Sequence, residues 1–437
     1  MRERVLASWH WLLTHHTVLL LAAVLVLLPV RMVHQAAWAV LLLLGLVWVV
    51  RAGRAAWQTS EQRLFLACFL LLFLPVLLSN LVAVDDFHAA RNTVRYLGFL
   101  FVGAAVLLHL PDRVLSSPLW WLLLLVPTFW VADALWQYLV GTSFFGHRLH
   151  RSQVYPHGII TGVFHPNIRL GIVLAHLLPL YLESLRRLGH GRLRWLWLLL
   201  LPYVAVILLS GNRMAWMTML LALLIYGLYV LFAGRQTARA FLLLAVMAIL
   251  AGLGVAVMMQ WSPGFAARVE QTLYLFRFDF ESWDYATSER MRIWSAVVEL
   301  LREHWLLGLG PRGFTPTAIN AGLLERAYLH THLLVFEIAV ATGLPGLLGY
   351  LAALITVIVW VIRLMVRRSS AFLPGLALLL LMLPINAHWS FYGTLYTSMF
   401  WLLFLIAMVA SREARLEAQT GAGVQRAAGH PRSESAS

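Results

Sequence analysis

The sequence predicts an all-α polytopic integral membrane protein with about 12 transmembrane helices and one long, partly helical loop on the outer side. Three observations lead there. Hydrophobic residues make up 61% of the 437 positions and charged residues only 12%, against roughly 25% in a soluble domain. Apolar runs of span length recur along the chain, separated by short loops that carry Arg. Many Trp residues stand at the ends of those runs, as in an interfacial belt.

With about twenty apolar residues per crossing, the spans fall at 13–30, 35–50, 64–84, 94–110, 118–140, 168–185, 194–210, 214–233, 240–260, 340–362, 371–388 and 393–411. Ala37-Trp38-Ala39 has the form of a signal-peptidase site. The next span begins at once, so the first is expected to be retained; cleavage would leave the remaining topology unchanged. The single cysteine, Cys68, lies inside an apolar run. It allows no disulfide within the chain and no Cys metal site.

The net charge is +14, and all 33 basic residues are Arg. A nucleic-acid binder would usually mix Lys with Arg and cluster both on a soluble face. Here the Arg residues lie between apolar runs, so no nucleic-acid partner is expected. Any anion site must use Arg, whose planar fork suits phosphate.

The positive-inside rule orients the spans. With the N-terminus inside, the inner loops carry Arg51, Arg54 and Arg63; Arg113; Arg186, Arg187, Arg192 and Arg194; Arg235 and Arg239; and Arg363, Arg367 and Arg368. The tail adds Arg412, Arg415, Arg426 and Arg432, so both termini lie in the cytoplasm. Two outer loops are long, 141–167 and 261–332. The second contains aromatic residues throughout and is expected to be ordered, with a helix from about 285 to 303. The chain divides into 1–260 (spans one to nine), 261–332 (outer loop domain), 333–411 (spans ten to twelve) and 412–437, a polar tail expected to be disordered.

The outer side also carries much Arg: Arg91, Arg95, Arg148, Arg151, Arg169, Arg213, Arg268, Arg277, Arg290, Arg292, Arg302, Arg312 and Arg326. This opposes the topology rule. Each could snorkel to ordinary headgroups of the membrane lipids. As a group they suit an anion site, because Arg forks bind phosphate bidentately.

Four stretches stand out. Ser210-Gly211-Asn212-Arg213 joins two spans through a tight outer turn that holds Arg213 near the membrane surface, as site residue or as anchor. Ser288 through Trp294 opens an amphipathic helix with Ser288 as N-cap and Arg290 and Trp294 four apart on one face, as site residues or as an ordinary capped helix with solvated Arg. Gly162 through Asn167 precedes the sixth span, with His165 and Asn167 as polar candidates beside Pro166, or as a structural entry turn. Tyr328-Leu329-His330-Thr331-His332 leads into Glu337 and Gly343-Leu344-Pro345-Gly346. A His at that level can act as general base. A carboxylate in an apolar helix is a functional candidate. Positions five apart lie roughly 140° apart on a helix, so a His332–Glu337 bond is not assured. Gly-Leu-Pro-Gly breaks the segment, making 330–342 a partial helix ahead of the full span.

Taken in order, these motifs resemble the O-antigen ligase and polymerase superfamily, over about Gly162 to Asn386. The pattern is carried by Phe164-His165-Pro166-Asn167, Ser210 through Ala215, Ser288 through Trp294, Gly308-Leu309-Gly310, and the stretch with His332, Glu337 and Gly343 through Gly346. The family's usual His-Asn pair is departed from, since Leu333 follows His332; the distance to Gly343 aligns His332 rather than His330. The resemblance implies a GT-C-like enzyme of the bacterial inner membrane with a periplasmic active site. It implies inverting glycosyl transfer without metal or other cofactor. The implied donor is undecaprenyl-pyrophosphate-linked O-antigen and the acceptor is lipid A-core. His332 would activate the acceptor hydroxyl, with His330 and Glu337 as further catalytic candidates. Arg213 and Arg290 would hold the pyrophosphate, with Arg292, Arg148, Arg151, His165 and Asn167 as further binding candidates.

An O-antigen polymerase and a ligase-like protein oligosaccharyltransferase remain open within the class. A transporter or flippase predicts ionisable residues near span middles. Few charges lie near span middles, with Asp133 in the fifth span and Glu337 near the outer end of the tenth, and the polar residues gather on one side. A scaffold gives no reason for the outer Arg residues.

Overall fold

A computed structural model describes residues 16–30, 32–109, 118–152, 155–233, 252, 255–257, 259–261, 263–328 and 330–428. Helices stand at eleven of the expected span positions. They are α1 (His16–Leu27), α2 (His34–Ala52), α3 (Ser60–Ser79), α4 (Asp86–His109), α5 (Pro118–Val140), α6 (Leu170–Leu188), α7 (Leu200–Leu209) and α8 (Arg213–Ala233). After the outer loop come α13 (Leu334–Val366), α14 (Phe372–Leu381) and α15 (Thr394–Ala428). Among the described residues eight helices are long and apolar enough to cross a membrane. The expected span at 240–260 lies largely outside the described residues, as do Arg113, Arg235, Arg239 and Arg432.

The long loop folds into four short helices, α9 (Pro263–Leu273), α10 (Phe280–Thr287), α11 (Arg290–His304) and α12 (Phe314–Asn320). The chain is not wholly helical. Residues 141–167 include a small antiparallel hairpin, β1 (His150–Ser152) and β2 (Tyr155–Ile159).

Two helices form the centre. Every residue of α6 from Leu170 to Leu185 is buried, and so is α15 from Trp401 to Ala410. Residues 401–410 are apolar on every face, as a helix buried all round is, whereas α6 is buried although it carries His176 and Glu183. At one end of the bundle Glu183 binds Arg186 and Arg187, each at 2.6 Å. Arg415 binds Glu61 at 3.0 Å there. These charges sit about 20 Å along α6 from Leu170, so the opposite end carries a separate set of polar groups.

Three expectations need correction. The span placed at 371–388 is helical only to Leu381. Pro384 disfavours helix at Leu383, and the Asn386 side chain donates to Leu380 O and Leu381 O, capping the last carbonyls. Residues 382–393 are therefore irregular chain, half of them buried and Ile385 exposed. The tail placed at 412–437 is helical through Ala428, because Ala, Glu, Arg and Gln are good helix formers and Arg412 and Arg415 dock on the bundle. Ser288 is not an N-cap. It takes left-handed φ 60°, and the buried Asp284 carboxylate instead accepts from Met291 N and Arg292 N.

The expected break in the tenth span is present. Gly343 has φ 62° and ψ −158°, separating a short helix, 334–342, from the rest of α13. The chain before α12 docks into this break. Leu344 N donates to Trp305 O, Leu309 N to Val340 O, and Gly310 N to Ala341 O. A Cβ on Gly308 would lie 2.6 Å from Ala341 C. The Gly308-Leu309-Gly310 motif is thus a close backbone contact that fixes the loop against α13.

Candidate functional site

A cavity of about 690 Å³ opens at the end of the bundle away from Glu183. Seven chain segments line it, Arg268 of α9 and His388 among them, and four of the seven carry the expected site residues. The first is the turn between α7 and α8. Gly211 at φ 64° makes the turn, and Asn212 Oδ1 caps α8 by accepting from Ala215 N. Arg213 follows as the first residue of α8. Its guanidinium donates to Ala286 O, to Thr272 Oγ1 at 3.3 Å and to Ser288 Oγ at 3.2 Å. Those bonds tie the loop domain to the bundle while Arg213 lines the cavity. Gly171 is needed below, because a Cβ there would meet Ser210 Oγ at 2.0 Å.

The second segment is the start of α11. Ser288 and Glu289 are both left-handed, and Arg290 follows at the cavity wall. Arg292, two residues on, lies elsewhere. Its Nε pairs with Asp284 Oδ2 at 3.0 Å and the side chain is mostly exposed. Trp294 lines the cavity and donates from Nε1 to Thr331 O at 3.1 Å.

That bond fixes the third segment, Thr331 through Leu333, with Thr331 fully buried. His332 takes φ 56°, a left-handed conformation that a non-glycine residue holds only when its surroundings enforce it. One backbone and one side-chain link enforce it: Leu334 N donates to Asn386 O, and His332 Nδ1 lies 3.3 Å from Ala387 O. A carbonyl can only accept, so Nδ1 carries the proton and Nε2 is left as the basic nitrogen. The His330 ring lies 4.0 Å from that of His332, centroid to centroid.

The fourth segment runs from Pro166 to Arg169 and brings Asn167 and Arg169 to the wall. His165 does not join them. It stacks on His147 at 4.7 Å with Thr161 Oγ1 3.3 Å from its Nδ1. Arg148 and Arg151 are exposed on the 141–167 loop and do not line the cavity, whereas His150 beside them does.

Burial pushes the His332 imidazole down to about 4, with the nearby Arg290 charge adding to the effect. Burial also holds His330 well below the ordinary histidine range, with help from His332, Arg169, Arg290 and Arg312. The cavity therefore presents neutral imidazoles among arginine charges at neutral pH. That arrangement can bind an anion and accept a proton beside it.

Glu337 belongs to a different space. Its Oε1 accepts from Ser390 Oγ at 2.7 Å, and it lines a second cavity of about 430 Å³ rather than facing His332. So of the expected residues the structure brings together Arg213, Arg290, His330, His332 and Asn167. It sets apart Glu337, Arg292, Arg148, Arg151 and His165. Sequence reasoning did not pick out Arg169 or His388 as site residues. Arg169 was legible as one more outer arginine, but His388 was hidden inside an assumed span. Among the described residues no three His, Cys, Asp or Glu side chains are grouped to hold a metal ion.

Residues 196–351 match the O-antigen ligase family model, bearing out the resemblance carried by the motifs. The matched segment, about a third of the chain, holds Arg213, Arg290, His330, His332 and Glu337. No curated protein matches the chain. Over that segment the chain is similar to the O-antigen ligase family, which supports a function of the ligase or polymerase type, and the apolar helices fit a multi-pass membrane protein.

Proposed function

We propose that the protein is an O-antigen ligase, transferring a glycan from undecaprenyl pyrophosphate to lipid A-core at the periplasmic face of the inner membrane. The observation that carries the reading is one cavity holding Arg213, Arg290 and Arg169 around His332, whose Nδ1 faces Ala387 O. Arg186, Arg187 and Arg415 lie at the other end of the bundle, which supports a cytoplasmic position for that end.

In this reading His332 Nε2 takes the proton from an acceptor hydroxyl. The hydroxyl oxygen attacks the anomeric carbon from the side opposite the pyrophosphate, and the bond from that carbon to the phosphate oxygen breaks. A single displacement of this kind inverts the configuration. The leaving pyrophosphate gains charge as the bond lengthens. Arg213, Arg290 and Arg169 meet that charge in a site already organised, which is where electrostatic catalysis is strongest. Pyrophosphate is a good leaving group, so the reaction asks for a base and cations rather than an acid.

Purified full-length protein is given lipid-linked donor and lipid A-core, and the products are separated on a gel. The reading expects banded lipopolysaccharide from the wild type and none from His332→Ala at equal folded amount. Lengthening of the lipid-linked glycan instead would make the protein a polymerase. Normal ligation by His332→Ala would remove His332 as base and make His330 the next to test.

A further inference from the structure

The second cavity has no part in the chemistry above. It lies between the first turns of α4, the loop around Arg312, Ala327 and Tyr328, His330 and Thr331, Glu337 of α13, and Tyr392 and Thr394. At about 430 Å³ it is within the range of a small-ligand site, roughly 300–1,000 Å³. Three cations face it: Arg91, Arg95 and Arg312. Of the two carboxylates, Asp85 is engaged by His88 at 2.7 Å. Glu337 is buried, and its Oε2 lacks a partner of good hydrogen-bond geometry, although the Phe391 and Tyr392 amides and the Arg312 charge stand near the carboxylate. Arg95 Nε is also buried without one, although the two terminal nitrogens bind Thr394 Oγ1, Asn92 Oδ1 and Tyr392 O. Buried polar atoms are nearly always satisfied, so orphans on both signs of charge call for a ligand that both donates and accepts. A lipid tail can do neither.

The two cavities share a wall. Among the described residues Tyr328 and His330 line both, and no other does. Behind His330 stands the His332 ring, 4.0 Å away.

We propose that this second cavity is the acceptor subsite and that it takes an acidic glycan. Arg91, Arg95 and Arg312 hold a phosphate or carboxylate substituent, and Glu337 accepts from a sugar hydroxyl. The reacting hydroxyl passes the Tyr328 and His330 wall to reach His332, opposite the donor pyrophosphate. This assignment rests on the transferase reading, since it is the reaction that gives two glycans a reason to meet here. His330 is then a positioning residue between the two substrates. Carbohydrates with acidic groups fit all the observations: anionic charge for the arginines, hydroxyls for Glu337 and a flat sugar face for the Tyr328 ring.

The test is binding to the full chain in nanodiscs. The probe is the soluble acidic oligosaccharide released from lipid A-core. A second form has its phosphates removed and its carboxylates amidated. Wild type is expected to prefer the acidic form by about tenfold or more, as charged hydrogen bonds imply. Arg91→Gln and Arg312→Gln, at exposed and half-buried positions, should each lose most of that preference. Arg213→Gln, on the other cavity, should keep it. In turnover the first two variants should raise the acceptor KM and leave the donor KM unchanged. No binding by wild type, or a preference lost only in Arg213→Gln, overturns the proposal. So does equal displacement by glycerophosphoglycerol, which would mark a lipid-headgroup site. If the binding pattern holds and no ligation occurs, the subsite stands and the ligase reaction falls. If ligation occurs with acceptor KM unmoved in both variants, the ligase stands and the subsite falls.

Discussion

Gly343→Ala should loosen the active site from a distance, and the size of the effect can be worked from the backbone. Gly343 sits at φ 62° and ψ −158°, a region close to exclusive to glycine. Holding a side chain there costs about 1–3 kcal/mol. The added Cβ would also lie 2.3 Å from Leu306 O and 2.5 Å from Leu306 C, so the docked loop must move. Moving it strains three backbone bonds, from Leu344 N, Leu309 N and Gly310 N, each contributing about 1 kcal/mol. Local opening should become easier by at least about 3 kcal/mol, which is roughly a hundredfold. Hydrogen exchange reads this directly. The amides of Leu309, Gly310 and Leu344 should exchange about a hundred times faster, while those of α6 stay protected. Gly322→Ala is the control, since Gly322 has φ 69° but nothing within 4 Å of its Cβ. It should show the strain of its backbone alone, with only a local change. Unchanged exchange at Leu309, Gly310 and Leu344 in Gly343→Ala would refute the clamp.

Three further predictions concern the cavity. The acid limb of the free enzyme's pH profile should fall near 4 rather than 6.5, because His332 works only when unprotonated and burial lowers its proton affinity. A limb at 6.5 in kcat/KM for wild type would remove His332 as a buried base. Arg213→Lys and Arg290→Lys should each lower kcat by about 10²–10³, since an ammonium cannot reproduce the fork. Arg292→Gln, which faces Asp284, should stay within about threefold of wild type by the same logic, and a matching loss there would contradict its placement. Asn386→Ala removes two caps on α14 and should cost about 1–2 kcal/mol of local stability. Its turnover should drop because Ala387 positions His332, whereas unchanged turnover would show that this carbonyl does not orient the imidazole.

Much of the site was legible because its residues break local rules. Arg213 sits at a turn where an apolar helix begins, and His332 precedes an apolar helix with Gly343 eleven residues on. Such departures show in one dimension. Arg292 and Arg290 illustrate the limit. Two positions apart on a helix they point in different directions, and only the location of Asp284 decides which of them faces the cavity. Glu337 is similar. Its place in an apolar stretch marked it as unusual, but the helix turns it away from His332 and toward Ser390. His388 was missed because its neighbours are apolar enough to pass for a span, and the end of α14 depends on Pro384 and on side-chain bonds from Asn386.

The sequence by itself determined the membrane solvent, the positions of most helices, the break at Gly343 and the residues able to bind an anion or take a proton. Those follow from composition, hydrophobic run length and the conformational limits of glycine and proline, which act between near neighbours. Tertiary structure alone decided that the candidates divide between two cavities, that His332 Nδ1 faces Ala387 O, and that Tyr328 and His330 stand between the cavities. The partners in those contacts are tens of residues apart in the chain. Their meeting depends on how buried helices pack, and apolar side chains that look alike in sequence do not record which faces will touch.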